Sequence, residues 1–138
     1  MKQLLISICI LFSFELVALA QDKSEAIVGE WLTAAKDGKV SIYKTGNKFF
    51  GKINWGNQPN GKDTKNPDQK LRDQNLIGLV ILKDFEFDGK DKWEDGTIYD
   101  PNNGKTYSCV IKLTDAKTLE VRGYIGISLL GRTEVWTR

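Results

Sequence analysis

Short β-prone runs separated by turn residues recur along the whole chain, and this rhythm is the strongest constraint on its fold. The clearest example is residues 96–113, where two such runs flank an Asp-Pro-Asn-Asn-Gly turn at positions 100–104. Proline fixes φ, and asparagine and glycine tolerate the left-handed backbone of tight turns. The stretch therefore predicts a β-hairpin, and similar turn signals occur at residues 36–39, 45–48 and 88–89.

The spacing of these runs predicts eight strands and no helical periodicity. They fall at residues 26–34, 40–44, 49–55, 76–87, 97–99, 105–113, 118–125 and 131–138. Sequential antiparallel strands close into a barrel or split into a sandwich. Several strand faces carry a glycine among large residues, which favours coiling and closure. We therefore predict an all-β fold, a small eight-stranded antiparallel up-and-down barrel, with an interior filled by side chains or holding one small ligand.

Residues 1–20 have the pattern of a signal peptide rather than of part of the fold. Lys2 precedes an apolar run at residues 4–14, and Ala18-Leu19-Ala20 forms a cleavage site before polar residues. The run is too short to span a membrane as a helix, so no membrane span is expected. Residues 21–138 are then predicted to be one exported domain, periplasmic or secreted after cleavage.

The composition argues against several classes of function. The sequence has no histidine, which removes Ser-His-Asp and Cys-His catalysis and the usual zinc ligand sets. Cys9 lies in the leader, so Cys109 is expected to be a lone, buried thiol without a disulfide partner. The net charge is +2 with both signs interspersed, which disfavours a nucleic-acid surface. We expect no cofactor, no metal, no catalytic residue and no nucleic-acid partner.

One acidic segment imitates the front of a calcium-binding loop. Asp84, Glu86 and Asp88 alternate before Gly89, as in an EF-hand. The imitation fails further on, because Asp91 stands where an apolar residue is normal and Asp95 where a bidentate glutamate is normal. We therefore interpret the segment as a plain hairpin whose acids face water.

Residues 56–75 interrupt the strand rhythm. They contain two of the three prolines and many polar residues, with Leu71 the only large apolar one. Such long connections tend to be lids, binding loops or disordered, and both a lid and a merely solvated loop stay open here. The run that follows, residues 76–82, is apolar on both faces, which is typical of a strand at a core centre or beneath a covering element.

Aromatic residues near strand ends are the candidates for ligand contact. Trp31 and Trp136 are expected to fill the core, whereas Trp55 and Trp93 are expected at strand ends. Together with Leu71 and one further aromatic residue, the candidate ligand-binding residues are Tyr43, Trp55, Leu71 and Trp93.

The first and last strands carry a pair of features that neighbour each other in a closed barrel. Gly29-x-Trp31 lies on the first strand, and Arg132 or Arg138 lies on the last. An arginine placed across the indole face contributes about 0.5–2 kcal/mol of cation–π energy. This arrangement resembles the structural signature of lipocalins and related calycin barrels, in which it supports the fold rather than binding ligand.

A second resemblance covers nearly all of residues 21–138. The motifs that carry it include GEW at 29–31, GKI at 51–53, NPD at 66–68, LR at 71–72, GL at 78–79, GTIYDPNNGKTY at 96–107, VRGY at 121–124 and LGRTEVW at 130–136. Their order is similar to that of an uncharacterised bacterial envelope family, domain of unknown function 2147. The resemblance implies a small secreted lipocalin-like barrel and no agreed activity. Many members have a cysteine before the strand that holds Gly51; Thr45-Gly46-Asn47 stands there in this chain.

Three functional hypotheses follow. The first is a binding protein for a small hydrophobic or amphipathic molecule in the cell envelope, with its mouth rimmed by residues 56–75. The second is a filled barrel that acts through its surface in protein–protein contact or as a structural module. The third and weakest is a hydrolase that uses carboxylates or Tyr99 and Tyr107, since the chain has no nucleophile motif.

Overall fold

Eight antiparallel strands form a closed barrel in the computed structural model, which describes residues 22–127 and 130–138. The all-β, lipocalin-like prediction is confirmed, whereas the proposed signal peptide lies outside the described residues. Short 3₁₀ helices accompany the barrel at Lys23–Ile27, before the first strand, and at Gln69–Leu71, between the third and fourth. The strands are β1 (Gly29–Leu32), β2 (Gly38–Thr45), β3 (Lys48–Gly56), β4 (Val80–Phe87), β5 (Lys92–Asp100), β6 (Lys105–Asp115), β7 (Thr118–Tyr124) and β8 (Gly131–Thr137).

The barrel closes where β1 meets β8. Leu32 of β1 lies opposite Thr137 of β8, and β1 also pairs with β2 along all four of its residues. The strand that carries Trp31 therefore lies beside the strand that carries Arg132, as the sequence predicted. Each strand neighbours the next in sequence, which is the up-and-down order.

The sequence left Arg132 and Arg138 as candidates for the residue over the Trp31 indole, and in the structure that residue is Arg138. Its guanidinium carbon lies 4.1 Å from the ring centroid, and its nitrogens donate to the carbonyls of Ala26, Val28 and Ala116 at 2.9, 3.3 and 2.9 Å. The Arg132 side chain is 86% exposed and pairs with Glu134 at 3.4 Å. The register explains the difference, because the Leu32–Thr137 pair brings Arg138 next to Trp31, whereas Arg132 lies at the far end of β8 opposite Gly123.

The first 3₁₀ helix closes the end of the barrel where β1 begins. Ile27 is fully buried, and its carbonyl accepts a hydrogen bond from Trp31 Nε1 at 2.8 Å. The Ser24 carbonyl accepts another from Trp93 Nε1 at 3.0 Å. Because buried indole N–H groups need partners, these two bonds fix the helix over the core.

Large side chains occupy the closed end and the middle of the barrel. Trp31, Phe49, Phe85, Trp93 and Trp136 are each at most 2% exposed. Cys109 is fully buried among them, and burial raises the pKa of its thiol to about 12. A thiol in that state holds its proton at neutral pH and is a poor nucleophile.

Two inward-facing glycines make room for these side chains. A Cβ atom added at Gly96 would lie 2.5 Å from the Phe85 ring, and one at Gly51 would lie 2.7 Å from Cδ1 of Leu82. Both distances are shorter than carbon atoms tolerate. Phe85 and Leu82 therefore pack over the neighbouring strands, because those strands carry no side chain at these points.

We expect Gly96→Ala to destabilise the fold by about 1–3 kcal/mol, because the added methyl forces the buried Phe85 ring to move. Gly123→Ala is the matched control on another inward position, since its Cβ would meet Cγ2 of Ile98 at an ordinary 3.5 Å. That control is expected to change stability by less than about 0.5 kcal/mol. Urea unfolding of both variants checks this; equal losses for the two would contradict the packing argument.

Candidate functional site

The connection between β3 and β4, residues 57–79, folds back on itself and is called the strap here. The Asp63 N–H donates to the Gln74 carbonyl at 3.0 Å, and the Leu76 N–H donates to the Gly61 carbonyl at 3.0 Å. Lys62 and Asn75 form an isolated antiparallel bridge between these bonds. The segment is thus an ordered element, although no regular strand or long helix appears in it.

A fully buried carboxylate ties the strap to the barrel wall. Asp63 is 0% exposed and accepts a hydrogen bond from the Tyr99 hydroxyl of β5 at 2.6 Å. Its other oxygen accepts from Asn66 Nδ2 at 2.8 Å and from Gln74 Nε2 at 3.0 Å. Two of the three donors belong to the strap and one to the barrel, so the cluster fixes one against the other.

The three donors favour the ionised form of Asp63. Burial works against the ionised form, but the hydrogen bonds from Tyr99, Asn66 and Gln74 outweigh it and hold the pKa of Asp63 below its usual value. Burial, followed by the hydrogen bond to Asp63 and its negative charge, raises the pKa of Tyr99 to about 12. Because the folded-state pKa of Asp63 is depressed, its stabilisation is complete above the unfolded-state pKa and is lost as the pH falls through the folded value.

The strap covers the outer face of the barrel. Leu82 and Ile98 are paired and face the interior, so the next pair, Lys83 and Thr97, faces outward. Ile81 also faces outward, yet it is only 7% exposed because the strap lies over it. The apolar run at 76–82, predicted to be the start of one strand, is therefore divided: residues 76–79 belong to the strap, and β4 begins at Val80 beneath it.

A cleft of about 600 Å³ opens between the strap and the wall. This volume falls within the range of about 300–1,000 Å³ that small-molecule sites occupy. Apolar side chains come mainly from the strap, and polar ones come from β4, β5 and β6 as well as from the strap. The lining residues are Asn66, Pro67, Leu71, Gln74, Asn75, Ile77, Gly78, Leu79, Val80, Ile81, Lys83, Thr97, Tyr99 and Thr106.

The four candidate ligand residues lie in different places, and Leu71 is the one that lines the cleft. Its side chain is 43% exposed. Trp93 is 1% exposed in the core, where Phe87 and Phe49 contact its ring. Tyr43 stacks on Phe50 at 5.9 Å, on the outer face away from the strap.

Trp55 does not line the cleft either, and a bulge places it on the outer face beside β2. Val40 pairs with Ile53, but the next residue, Lys39, pairs with Trp55, so β3 carries one extra residue. Trp55 thereby shares the outer face with Lys39, whose ammonium lies 5.8 Å from its ring centroid. Strict alternation along residues 49–55 would instead place Trp55 on one face with Phe49, Gly51 and Ile53.

The acidic segment that imitates a calcium loop forms a hairpin turn. One oxygen of Asp88 accepts hydrogen bonds from the backbone N–H groups of Lys90, Asp91 and Lys92 at 2.8–3.1 Å. These bonds hold the pKa of Asp88 below its usual value. Within residues 22–127 and 130–138, no cluster of three or more His, Cys, Asp or Glu side chains is arranged to hold a metal ion. In the same residues, no helix is long and apolar enough to cross a membrane.

Residues 29–138 match the pattern of an uncharacterized protein family conserved in bacteria, DUF2147. The chain belongs to this family. Its fold is similar to a solved structure described as protein HP1028 from the human pathogen Helicobacter pylori, which belongs to the lipocalin family. The TM-score is 0.74 at 25% sequence identity, over 80% of this chain and 81% of that one. None of the curated proteins matches the chain. Both resemblances stated from the sequence are confirmed, and a lipocalin-like barrel is a fold that suggests small-molecule binding.

Replacing Asp63 tests whether the carboxylate holds the strap. Asp63→Asn keeps the size but replaces two charged acceptor oxygens by one neutral acceptor and one donor, which weakens the bonds to Tyr99, Asn66 and Gln74, so we expect a loss of about 1–3 kcal/mol. Hydrogen exchange of the backbone amides at 61–76 should accelerate more than that of the barrel strands. Asp73→Asn, on an exposed aspartate of the same strap, is the control and should leave exchange unchanged. Equal protection in the two variants would contradict the anchoring role.

Proposed function

We propose that the protein binds a small hydrophobic or amphipathic molecule in the cleft between the strap and the barrel wall. The observation that carries this proposal is a cleft of ligand size whose two sides are held together by a buried, fully hydrogen-bonded carboxylate. A site fixed in advance loses less conformational entropy on binding. A lipocalin-like fold is consistent with this role.

The surfaces of the cleft suit a ligand with an apolar body. Leu71, Ile77 and Leu79 of the strap line one side, and Val80 and Ile81 of β4 continue that apolar surface along the wall. Burial of aliphatic surface contributes roughly 25 cal/mol per Å². The polar groups of Thr97 and Thr106 stand on the outer face of β5 and β6 and supply orientation rather than bulk affinity.

The filled interior supports an outer site over one inside the barrel. An eight-stranded barrel is just wide enough for side chains or one small ligand. Here the closed end and the middle are taken by Trp31, Phe49, Phe85, Trp93 and Trp136. Towards the other end, the inward-facing Ile53 and Ile98 stay partly exposed.

Binding without catalysis is the role we propose. The pKa of Tyr99 is raised to about 12 by burial and by Asp63, so its hydroxyl is a poor general base. Tyr107 accepts a hydrogen bond from Asn103 at 2.9 Å on the neighbouring turn. The described residues that line the cleft include no carboxylate, so the pair that a glycosidase needs is not assembled there.

A surface-acting role in protein–protein contact is the second candidate, and one observation favours it. Ile125, Ile127 and Leu130 are 67, 59 and 73% exposed at the β7–β8 end of the barrel. Clustered exposed aliphatic side chains are typical of contact surfaces. This patch lies on a different connection from the strap, so variants distinguish the two roles.

Ligand binding can be measured by thermal shift and calorimetry against a panel of single-chain amphiphiles. A ligand present at 100 times its Kd stabilises the fold by about 2.7 kcal/mol. Leu71→Ser should weaken binding about tenfold, because roughly 1.5 kcal/mol of aliphatic contact is lost. Ile127→Ser removes an exposed aliphatic side chain outside the cleft, 59% exposed against 43% for Leu71, and is the control. If Ile127→Ser weakened binding and Leu71→Ser did not, the apolar patch would replace the cleft as the site.

We further propose that the protein works in the cell envelope, after export and removal of residues 1–20. The charged start, the apolar run and the Ala18-Leu19-Ala20 site support this proposal. Full-length protein produced in a Gram-negative host should appear in the periplasmic fraction with Gln21 as its first residue. Ala20→Arg should block cleavage and retain the full mass. Wild-type protein of full mass in the cytoplasm would overturn the proposal.

A further inference from the structure

The cleft carries one formal charge, and it is positive. Of the described residues that line the cleft, Lys83 is the only charged one. The lining otherwise consists of aliphatic side chains, amides, hydroxyls and backbone. A small molecule in the cleft therefore meets a single ammonium group and no fixed negative charge on the lining itself.

Lys83 forms no ion pair within residues 22–127 and 130–138. Lys39, on the outer face of β2, by contrast pairs with Glu30 at 3.5 Å. Asp63 lies behind the cleft, and its oxygens are occupied by three donors.

Hydroxyl groups stand on the same outer face as the ammonium. Thr97 lies directly opposite Lys83 across the β4–β5 pair, and Thr106 lies opposite Tyr99 across the β5–β6 pair. A threonine hydroxyl rotates to donate or accept as its partner requires. An ammonium flanked by such hydroxyls binds an anionic group more strongly than a neutral one.

We propose that the cleft selects amphipathic molecules with one anionic group, a carboxylate or a phosphate. The anion lies at Lys83 beside Thr97, and the apolar chain lies between the wall and Leu71, Ile77 and Leu79. This inference rests on the proposed binding function and adds the chemical class of the ligand. The carboxylate of a fatty acid and the phosphate of a single-chain lipid share this chemistry.

Four twelve-carbon probes that differ only in the head group test the inference: dodecanoate, dodecyl phosphate, dodecanol and dodecyltrimethylammonium. Calorimetry below their aggregation concentrations gives each Kd. Both anions should bind about tenfold more tightly than the alcohol, which corresponds to one charge-assisted hydrogen bond, and the cation should bind most weakly. The advantage of the anions should shrink with added salt. The ratio of the Kd for dodecanoate to the Kd for dodecyl phosphate indicates whether the site prefers a fatty acid or a single-chain lipid phosphate.

Substitutions at Lys83 separate its local role from the net charge. Lys83→Gln should abolish the advantage of the anions and leave the affinity for dodecanol unchanged, and Lys83→Arg should retain most of it. Lys48→Gln removes the same charge from an exposed residue at the opposite end of the barrel and should behave as wild type. Equal losses for Lys83→Gln and Lys48→Gln would overturn the inference.

The remaining outcomes separate the two proposals. If the alcohol bound as tightly as the anions, the charge selection would be wrong while the binding function stood. If none of the four probes bound and Leu71→Ser changed nothing, the proposed function would fail and the selection with it.

Discussion

The width of an eight-stranded barrel is the constraint on which the rest of this structure depends. The interior is only wide enough for side chains to fill, and in this chain tryptophan and phenylalanine rings occupy much of it. The Phe85 ring packs over Gly96, and the Leu82 side chain packs over Gly51. The first 3₁₀ helix covers the end of the barrel and accepts hydrogen bonds from the indoles of Trp31 and Trp93. A core of this kind stabilises the barrel and leaves no room for a ligand at the closed end or in the middle.

The outer wall is where the chain has room to build a site. A bare sheet face is flat, so a cleft needs a second surface, and the strap supplies it over β4, β5 and β6. A polar strap of this composition cannot hold itself down by apolar burial alone. The buried Asp63 carboxylate performs that task with one partner on the wall and two on the strap. The cleft is therefore a product of polar anchoring on an apolar barrel.

The architecture could be predicted from the sequence because it depends on patterns within short, continuous segments. Turn residues and period-two alternation define each hairpin, and hairpins in series make a barrel. The arginine over Trp31 could only be narrowed to Arg132 or Arg138, since the choice depends on the register between β1 and β8. Strict alternation would put Trp55 on the inner face, but an extra residue in β3 moves it to the outer face. Asp63 and Tyr99 are 36 positions apart, and no pattern in the sequence around either residue indicates that they form a hydrogen bond.

The chemistry of the anchor also determines what the cleft presents to a ligand. Without its three donors, the buried carboxyl of Asp63 would favour its protonated, neutral form and would not hold the strap to the wall. With Tyr99, Asn66 and Gln74 bonded to it, the carboxylate keeps its charge and lies behind these three side chains, which are themselves part of the lining. The ammonium of Lys83 is then the charge that faces the cleft. The same side chains thus hold the strap in place and separate the Asp63 carboxylate from a molecule in the cleft.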